Sequence, residues 1–277
     1  MKIFESEIEA KDGLKLFCKS IHNDSGTAEK HAVVVHGFGE HSGRYGNVIE
    51  PLLKDGFGVH LMDTRGHGKS EGKRGHVLRY DEYIEDLDLF FDKLEREKGI
   101  RKAHLIGHSQ GGLIVLKYAI MKPEALLTVS ASGSLLRLKV KVPIYKEIPG
   151  KLFSKLIPGF SMPNGLLASD LSHDPAVVKA YEDDPLVHDL ASARWFTEMV
   201  GASAWTLAHA PDLKVPALIM HGSDDRLTDH TGSEEFYKNA GARDKELKIY
   251  EGMFHEIFNE IGKEKPLGDL RDWLKKH

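Results

Sequence analysis

The chain has 277 residues, of which 41% are hydrophobic and 29% charged, with a formal net charge of -4. That balance excludes a disordered, collagen-like or coiled-coil chain, and it is not basic enough to make nucleic acid the default partner. The one cysteine, Cys18, excludes an internal disulfide and a thiolate metal cluster.

The opening MKIFESEIEAKDG is broken early by glutamates and leads into no apolar run, so it does not read as a signal peptide. No stretch of about 18 or more apolar residues follows that could span a bilayer. The expected location is the cytoplasm, with the membrane surface as a second place of action. Residues 3–9 and 14–21 alternate apolar and polar around Lys11-Asp12-Gly13, which predicts a hairpin. Short apolar runs then recur at Ala32–His36, Gly58–Met62, Ala103–Ile106, Leu126–Ser130, Ala217–Met220 and Leu247–Tyr250. Runs such as Val33-Val34-Val35 predict strands buried on both faces, as parallel sheets require. Between them, Asp81–Lys98 places Tyr83, Leu87, Phe90, Phe91 and Leu94 near one helical face. Gly112–Met121 predicts a second, apolar helix, with Pro123 close behind it. The alternation predicts an α/β fold with a doubly wound, mostly parallel sheet.

The rhythm breaks from about residue 135 to 205. Prolines including Pro143, Pro149, Pro158, Pro163 and Pro175 punctuate this stretch, no clean strand is legible, and the strand pattern resumes at Val215. The expected organisation is a core of residues 1–134 and 206–277 with an inserted lid or cap at 135–205.

Gly107-His108-Ser109-Gln110-Gly111 matches G-x-S-x-G directly after one predicted strand and before an apolar helix. A tight strand-to-helix turn there exposes the Ser109 hydroxyl, and small residues at 107 and 111 let strand and helix approach. Ser109 is therefore the candidate nucleophile. A serine needs a base and an orienting acid, which follow this motif in the order acid, then histidine, after later strands. His255, after Leu247–Tyr250, is the candidate base. After Ala217–Met220 stand Asp224, Asp225 and Asp229, and periodicity does not choose among them. Two backbone donors must hold the developing oxyanion. Gln110, next to the nucleophile, supplies one; Phe38 in the glycine-rich loop His36–Glu40 supplies the other.

At these residues the chain resembles the monoacylglycerol lipases and related lysophospholipases of the α/β-hydrolase fold. His36–Tyr45 is similar to their HGxGEHSGRY segment, Asp63–Ser70 to DxRGHGxS and Gly107–Gly112 to GHSxGG. Gly222–Leu227 resembles the GSxDRL acid loop, and Tyr250–Gly252 with His255 resembles YEGxxH. The likeness runs from the first hairpin to the C-terminus and is weakest at 135–180. It implies the α/β-hydrolase fold, nucleophile Ser109, acid Asp225, base His255 and oxyanion amides at Phe38 and Gln110. It also implies glycerol contacts at Glu40, Arg44 and Tyr181. Gln110 stands where many relatives carry Met, which bears on the shape of the acyl pocket rather than on catalysis.

Glu40 and Arg44 suit a polyol, whose hydroxyls a carboxylate and a guanidinium can hold; the alternative is a structural ion pair. The loop Asp63–Ser70 reads as a structural turn. His36, His67, His76, His104 and His108 read as fold contacts whose spacing matches no zinc site. Val140–Phe160 mixes Ile144, Leu152, Phe153, Leu156, Ile157 and Phe160 with Lys139, Lys141, Lys146, Lys151 and Lys155, a mixture suited to lipid headgroups and acyl chains. The expectation is a serine hydrolase that cleaves monoacylglycerols through an acyl-enzyme, without metal or organic cofactor. A lysophospholipase or general carboxylesterase is the alternative within enzymes, and a non-catalytic ligand-binding relative the alternative outside them.

Overall fold

Residues 1–23, 28–139 and 154–277 are described by a computed structural model. Eight strands make one sheet: β1 (Lys2–Glu9), β2 (Lys15–His22), β3 (Lys30–Val35), β4 (Phe57–Met62), β5 (Ala103–His108), β6 (Leu126–Ser132), β9 (Ala217–Gly222) and β10 (Lys245–Tyr250). Their order is β1-β2-β4-β3-β5-β6-β9-β10. β1 and β2 form the antiparallel hairpin, β2 pairs antiparallel with β4, and every later pairing is parallel. This is the α/β-hydrolase arrangement, with an antiparallel start on a parallel sheet.

The strand pleat sends alternate residues to opposite faces. Val33 and Val35 join one core with Leu105, Leu113 and Phe90, whereas Ala32 and Val34 join the other with Val48, Leu52 and Trp273. Both faces are thus covered, which is why the central strands read as unbroken apolar runs. The first face carries α2 (Asp81–Lys98) and α3 (Gln110–Met121); the second carries α1 (Gly46–Lys54) and α7 (Glu264–Lys276). Helix α2 buries Tyr83, Leu87, Phe90, Phe91 and Leu94, and stops at Gly99 in the left-handed conformation (φ 69). The sequence reading names no helix at α1, at α6 (His230–Asn239) or at α7. In α1 the internal Pro51 reads as a helix breaker, although Val48, Ile49, Leu52 and Leu53 are buried at helical spacing.

Between β6 and β9 the described chain holds α4 (Pro175–Glu182), α5 (Ala193–Ala208) and a two-stranded sheet of β7 (Ser161–Pro163) and β8 (Leu190–Ser192). Strands of three residues are too short to show alternation, so the sequence reading finds none. Helix α5 runs across position 205 and places Trp195, Met199 and Ala202 in the first core. The insertion is tied to loops of the main sheet by backbone hydrogen bonds. The His188 amide donates to Gly39 O at 2.8 Å and the Ser192 amide to Gly75 O at 2.9 Å. Gly39 sits at φ 77, and a Cβ there would lie 2.5 Å from His188 O, so only glycine allows this approach. Among the described residues no helix is long and apolar enough to cross a membrane.

His60 in β4 is fully buried, with Nδ1 at 2.9 Å from Ser20 Oγ and Nε2 at 3.1 Å from His31 Nδ1. Burial, reinforced by His31 and His22, holds its pKa well below the ordinary 6.5. The unfolded chain therefore takes up a proton near pH 6.5 that the folded chain refuses. Stability from this site is complete above that pH and is lost as the pH falls through it, by up to about 1.4 kcal/mol per pH unit for each such histidine. His67, His104 and His108, also lowered by burial, act with the same sign, and His255, raised, opposes them. Urea unfolding midpoints at pH 7.5 and 5 should fall accordingly; equal midpoints contradict the assignment.

Candidate active site

Ser109 joins β5 to α3 at φ 55 and ψ -117, the one non-glycine with positive φ among the described residues. A side chain at that dihedral pair is strained, and its surroundings must hold it there. The Ser109 amide donates to Ser132 O at 2.9 Å, and its carbonyl accepts from the Leu113 and Leu135 amides at 3.1 and 3.0 Å. A Cβ on Gly111 would lie 2.2 Å from Val35 O, so the close crossing of α3 over the sheet demands glycine. Gln110 begins α3, and the positive end of the helix dipole lies beside Ser109.

Of the three aspartates that the sequence leaves open, Asp225 is the one that reaches His255. Its Oδ2 accepts from His255 Nδ1 at 2.6 Å, while Oδ1 accepts the Leu227 and Thr228 amides at 2.8 and 2.9 Å. Asp229 instead caps α6 through the Thr231 amide, and Asp224 accepts from Ser223 Oγ. Burial opposes the charge on Asp225, but His255 and His221 outweigh it and hold the carboxyl well below its ordinary value. Burial likewise opposes charge on His255, and the Asp225 carboxylate overcomes it, raising the imidazole above 6.5. Two partners escaped the sequence reading. His221 Nε2 lies 3.1 Å from Asp225 Oδ2, and Thr228 Oγ1 donates to the same oxygen at 2.8 Å. His221 lies in β9 and Thr228 just after the acid loop, and only the fold reveals that their polar atoms converge on this carboxylate.

Ser109 and His255 line one cavity of about 430 Å³. The sheet side contributes Phe38, Glu40, Arg44 and Glu256; the insertion contributes Met162, Leu166, Leu171, Tyr181, Phe196 and Met199 among others. Most of this lining is apolar; Glu40, Arg44, Tyr181 and Glu256 touch one another and make its polar end, and Asn164, Ser192 and Thr228 line it as well. Arg44 Nη1 donates to Glu40 Oε2 at 2.6 Å, so the ion pair weighed from sequence is present. The Arg44 guanidinium also lies 4.7 Å from the centre of the Tyr181 ring. Burial would keep Glu40 neutral, but Arg44, His108 and His36 draw its pKa down to about 2. Burial holds His108 down at about 4 and pushes Tyr181 up to about 12.

Trp195 of α5 joins both candidate oxyanion residues. Its ring stacks on Phe38 with centroids 3.9 Å apart, and its Nε1 donates to Gln110 Oε1 at 2.7 Å. The sequence points to the Gln110 backbone amide and to its place in the acyl pocket; the structure adds that its side chain anchors the insertion to α3.

The loop Asp63–Ser70 is a turn held by its own side chains. Asp63 accepts the Ser42 and Lys69 amides at 2.8 and 2.9 Å, and Arg65 pairs with Asp86 through two hydrogen bonds of 2.6 and 2.7 Å. His36, His76, His104 and His108 bond to Thr64, Ser192, Thr128 and Ser132, as fold contacts do. His67 Nδ1 lies 2.9 Å from Arg65 O. Of the mixed apolar and basic stretch, residues 140–153 fall outside the described residues, which removes Ile144, Leu152, Phe153, Lys141, Lys146 and Lys151 from view. Leu156, Ile157 and Phe160 are exposed.

A family described as serine aminopeptidase, S33, matches residues 26–262. The monoacylglycerol lipase of Mycolicibacterium smegmatis is 33% identical over 246 residues, which cover 88% of this chain and 88% of that protein. This chain belongs to that family of α/β-hydrolases. It is a carboxylic ester hydrolase. The crystal structure of Paleococcus ferrophilus monoacylglycerol lipase superposes with a TM-score of 0.83 at 33% identity, covering 99% of this chain and 98% of that one. An uncharacterized abhydrolase domain-containing protein of Dictyostelium discoideum is 34% identical over 251 residues; they make up 87% of this chain but only 26% of that longer protein.

In this hydrolase, Trp195→Phe keeps a ring on Phe38 but leaves the buried Gln110 carbonyl without its donor. The expected loss is about 1–3 kcal/mol of stability. Gln110→Met removes the other partner, so the double variant should lose less than the sum of the two singles. Thermal unfolding of the four proteins checks this, and strict additivity contradicts it.

Proposed function

We propose that the protein hydrolyses monoacylglycerols to free fatty acid and glycerol through an acyl-enzyme on Ser109. The observation that carries this reading is the strained Ser109 and the Asp225–His255 pair facing one largely apolar cavity that also holds the polar cluster of Glu40, Arg44, Tyr181 and Glu256. A single acyl chain matches the apolar part and a small polyol the polar end.

The chemistry follows from the atoms. His255 Nδ1 is held by Asp225, which leaves Nε2 as the base toward Ser109 Oγ. Ser109 Oγ attacks the ester carbonyl as His255 takes its proton, and Asp225 stabilises the imidazolium that results. The Phe38 and Gln110 amides receive the tetrahedral oxyanion, helped by the α3 N-terminus. Collapse expels glycerol, which carries off the proton from His255. Water, activated by the same imidazole, then attacks the acyl-enzyme and releases the fatty acid and free Ser109. Tyr181, Glu40 and Arg44 border the glycerol.

Residues 135–205 act as a cap, since their described part supplies much of the acyl wall. Exposed Leu156, Ile157, Met162 and Leu167 on that cap are the surface through which it meets lipid aggregates. The relatives named above as monoacylglycerol lipases support the choice of head group.

Ser109→Ala is expected to lower kcat on a monoacylglycerol on the order of 10^4-fold or more, because members of such a unit act together. It should also abolish labelling by a fluorophosphonate probe. Near-normal turnover by this variant refutes the mechanism. The raised imidazole gives a second check. His255 acts as base only when neutral, so kcat/KM should decline on the acid side with a midpoint above pH 6.5. Asp225→Asn removes the charge that raises it and should shift that midpoint down, with kcat reduced on the order of 10^4-fold.

A further inference from the structure

The polar end of the cavity contains a carboxylate that the sequence reading did not use. Glu256, next to the candidate base, accepts from Arg44 Nη1 at 2.7 Å through Oε1 and from Arg44 Nη2 at 2.9 Å through Oε2. Glu40 takes Arg44 Nη1 on its other side at 2.6 Å. One guanidinium therefore sits between two carboxylates, all three residues line the cavity, and both carboxylate side chains are buried. Further donors keep the carboxylates in place. Gly37 N and Tyr45 Oη donate to Glu40 Oε1 at 2.6 and 2.7 Å, and Asn259 Nδ2 donates to Glu256 Oε2 at 2.8 Å.

We propose that Glu256 determines head-group specificity by occupying the Nη1–Nη2 end of Arg44 and leaving the polar end with an excess negative charge, so that neutral polyol esters are accepted and phosphate-bearing lysolipids are rejected. An arginine is the natural receptor for a phosphate because its fork presents parallel donors. Here that fork already holds the two Glu256 oxygens, and the Tyr181 ring covers its face. A phosphate on the glycerol of a lysolipid lies only a few bonds from the scissile ester. It would thus be carried to the side of Glu40 and Glu256, where the Nη1–Nη2 end of the guanidinium is already taken and two carboxylates face one cation. Nearby His108 offers no compensating cation, since it is neutral near pH 7. Like charges brought together out of water disfavour the wrong ligand strongly, whereas glycerol hydroxyls donate readily to carboxylate oxygens. This inference rests on the monoacylglycerol reading above and narrows it.

The test uses three hexanoyl esters, kept monomeric in solution: monohexanoylglycerol, hexanoyl lysophosphatidic acid and its dimethyl phosphotriester, which has nearly the same shape without the charge. With the wild-type enzyme, kcat/KM for the glycerol ester should exceed that for the anion about 100-fold or more, and the neutral triester should recover most of the difference. Glu256→Gln should narrow the gap between glycerol ester and anion at least about 10-fold, mainly through a lower KM for the anion. Glu256→Asp, which keeps the charge, should preserve the gap. Equal rates of the wild-type enzyme on the anion and its triester overturn the proposal without any variant. So does an unchanged ratio in Glu256→Gln. Hydrolysis of all three esters alike removes this inference and leaves the ester-hydrolase mechanism standing. Failure on the glycerol ester itself takes down the preceding reading as well.

Discussion

The backbone at Ser109 is held where a non-glycine residue resists being, and the surrounding elements are arranged to keep it there. A dihedral pair of this kind disfavours the fold by about 1–3 kcal/mol. The hydrogen bonds from Leu113, Leu135 and to Ser132 and the contact of Gly111 with the Val35 carbonyl act against its relaxation. They come from α3, from β6 and the loop after it, and from β3. Both faces of the sheet must be packed for those elements to stay aligned, so the strain at one residue depends on two separate cores. The same geometry turns the side chain toward the cavity and puts the first amides of α3 beside it.

Two buried charge systems flank that serine. On one side Asp225 collects His255, His221, Thr228 and two backbone amides, which keeps its charge despite burial. On the other, Arg44 donates to both Glu40 and Glu256 within a cage of tyrosine, asparagine and backbone donors. Buried charges persist only when they are paired and hydrogen-bonded, and both systems satisfy that condition. Between them lies His108, neutral because burial dominates its surroundings. The local field around Ser109 therefore comes mainly from groups with fixed partners and little freedom to reorient.

The insertion completes the cavity and also reports on the site's rigidity. It touches the main sheet through Gly39, Gly75 and the paired Phe38–Trp195 rings. Because Phe38 and Gln110 both meet Trp195, movement of α5 would be felt at both oxyanion candidates. A wall element and a positioning element are here the same helix.

The amino-acid sequence by itself determined the parallel sheet, the hairpin, α2, and the candidates Ser109 and His255. Those features depend on patterns local in the chain: alternation, unbroken apolar runs, and a serine set between glycines at a strand's end. Helix α1 is not legible because Pro51 reads as a helix breaker within an otherwise periodic segment, and β7 and β8 because three residues carry too little pattern. Periodicity left Asp224, Asp225 and Asp229 open and the family resemblance favoured Asp225; the tertiary structure brings Asp225 to His255, since neighbouring residues on a turn point in different directions and the loop's path selects one of them. It alone brought Glu256 to Arg44 across 212 positions of sequence, and Gln110 to Trp195 across 85. Such partners share no spacing or composition signal, because hydrogen bonds and charge pairs depend on distance in space, and that distance exists only once both cores have closed.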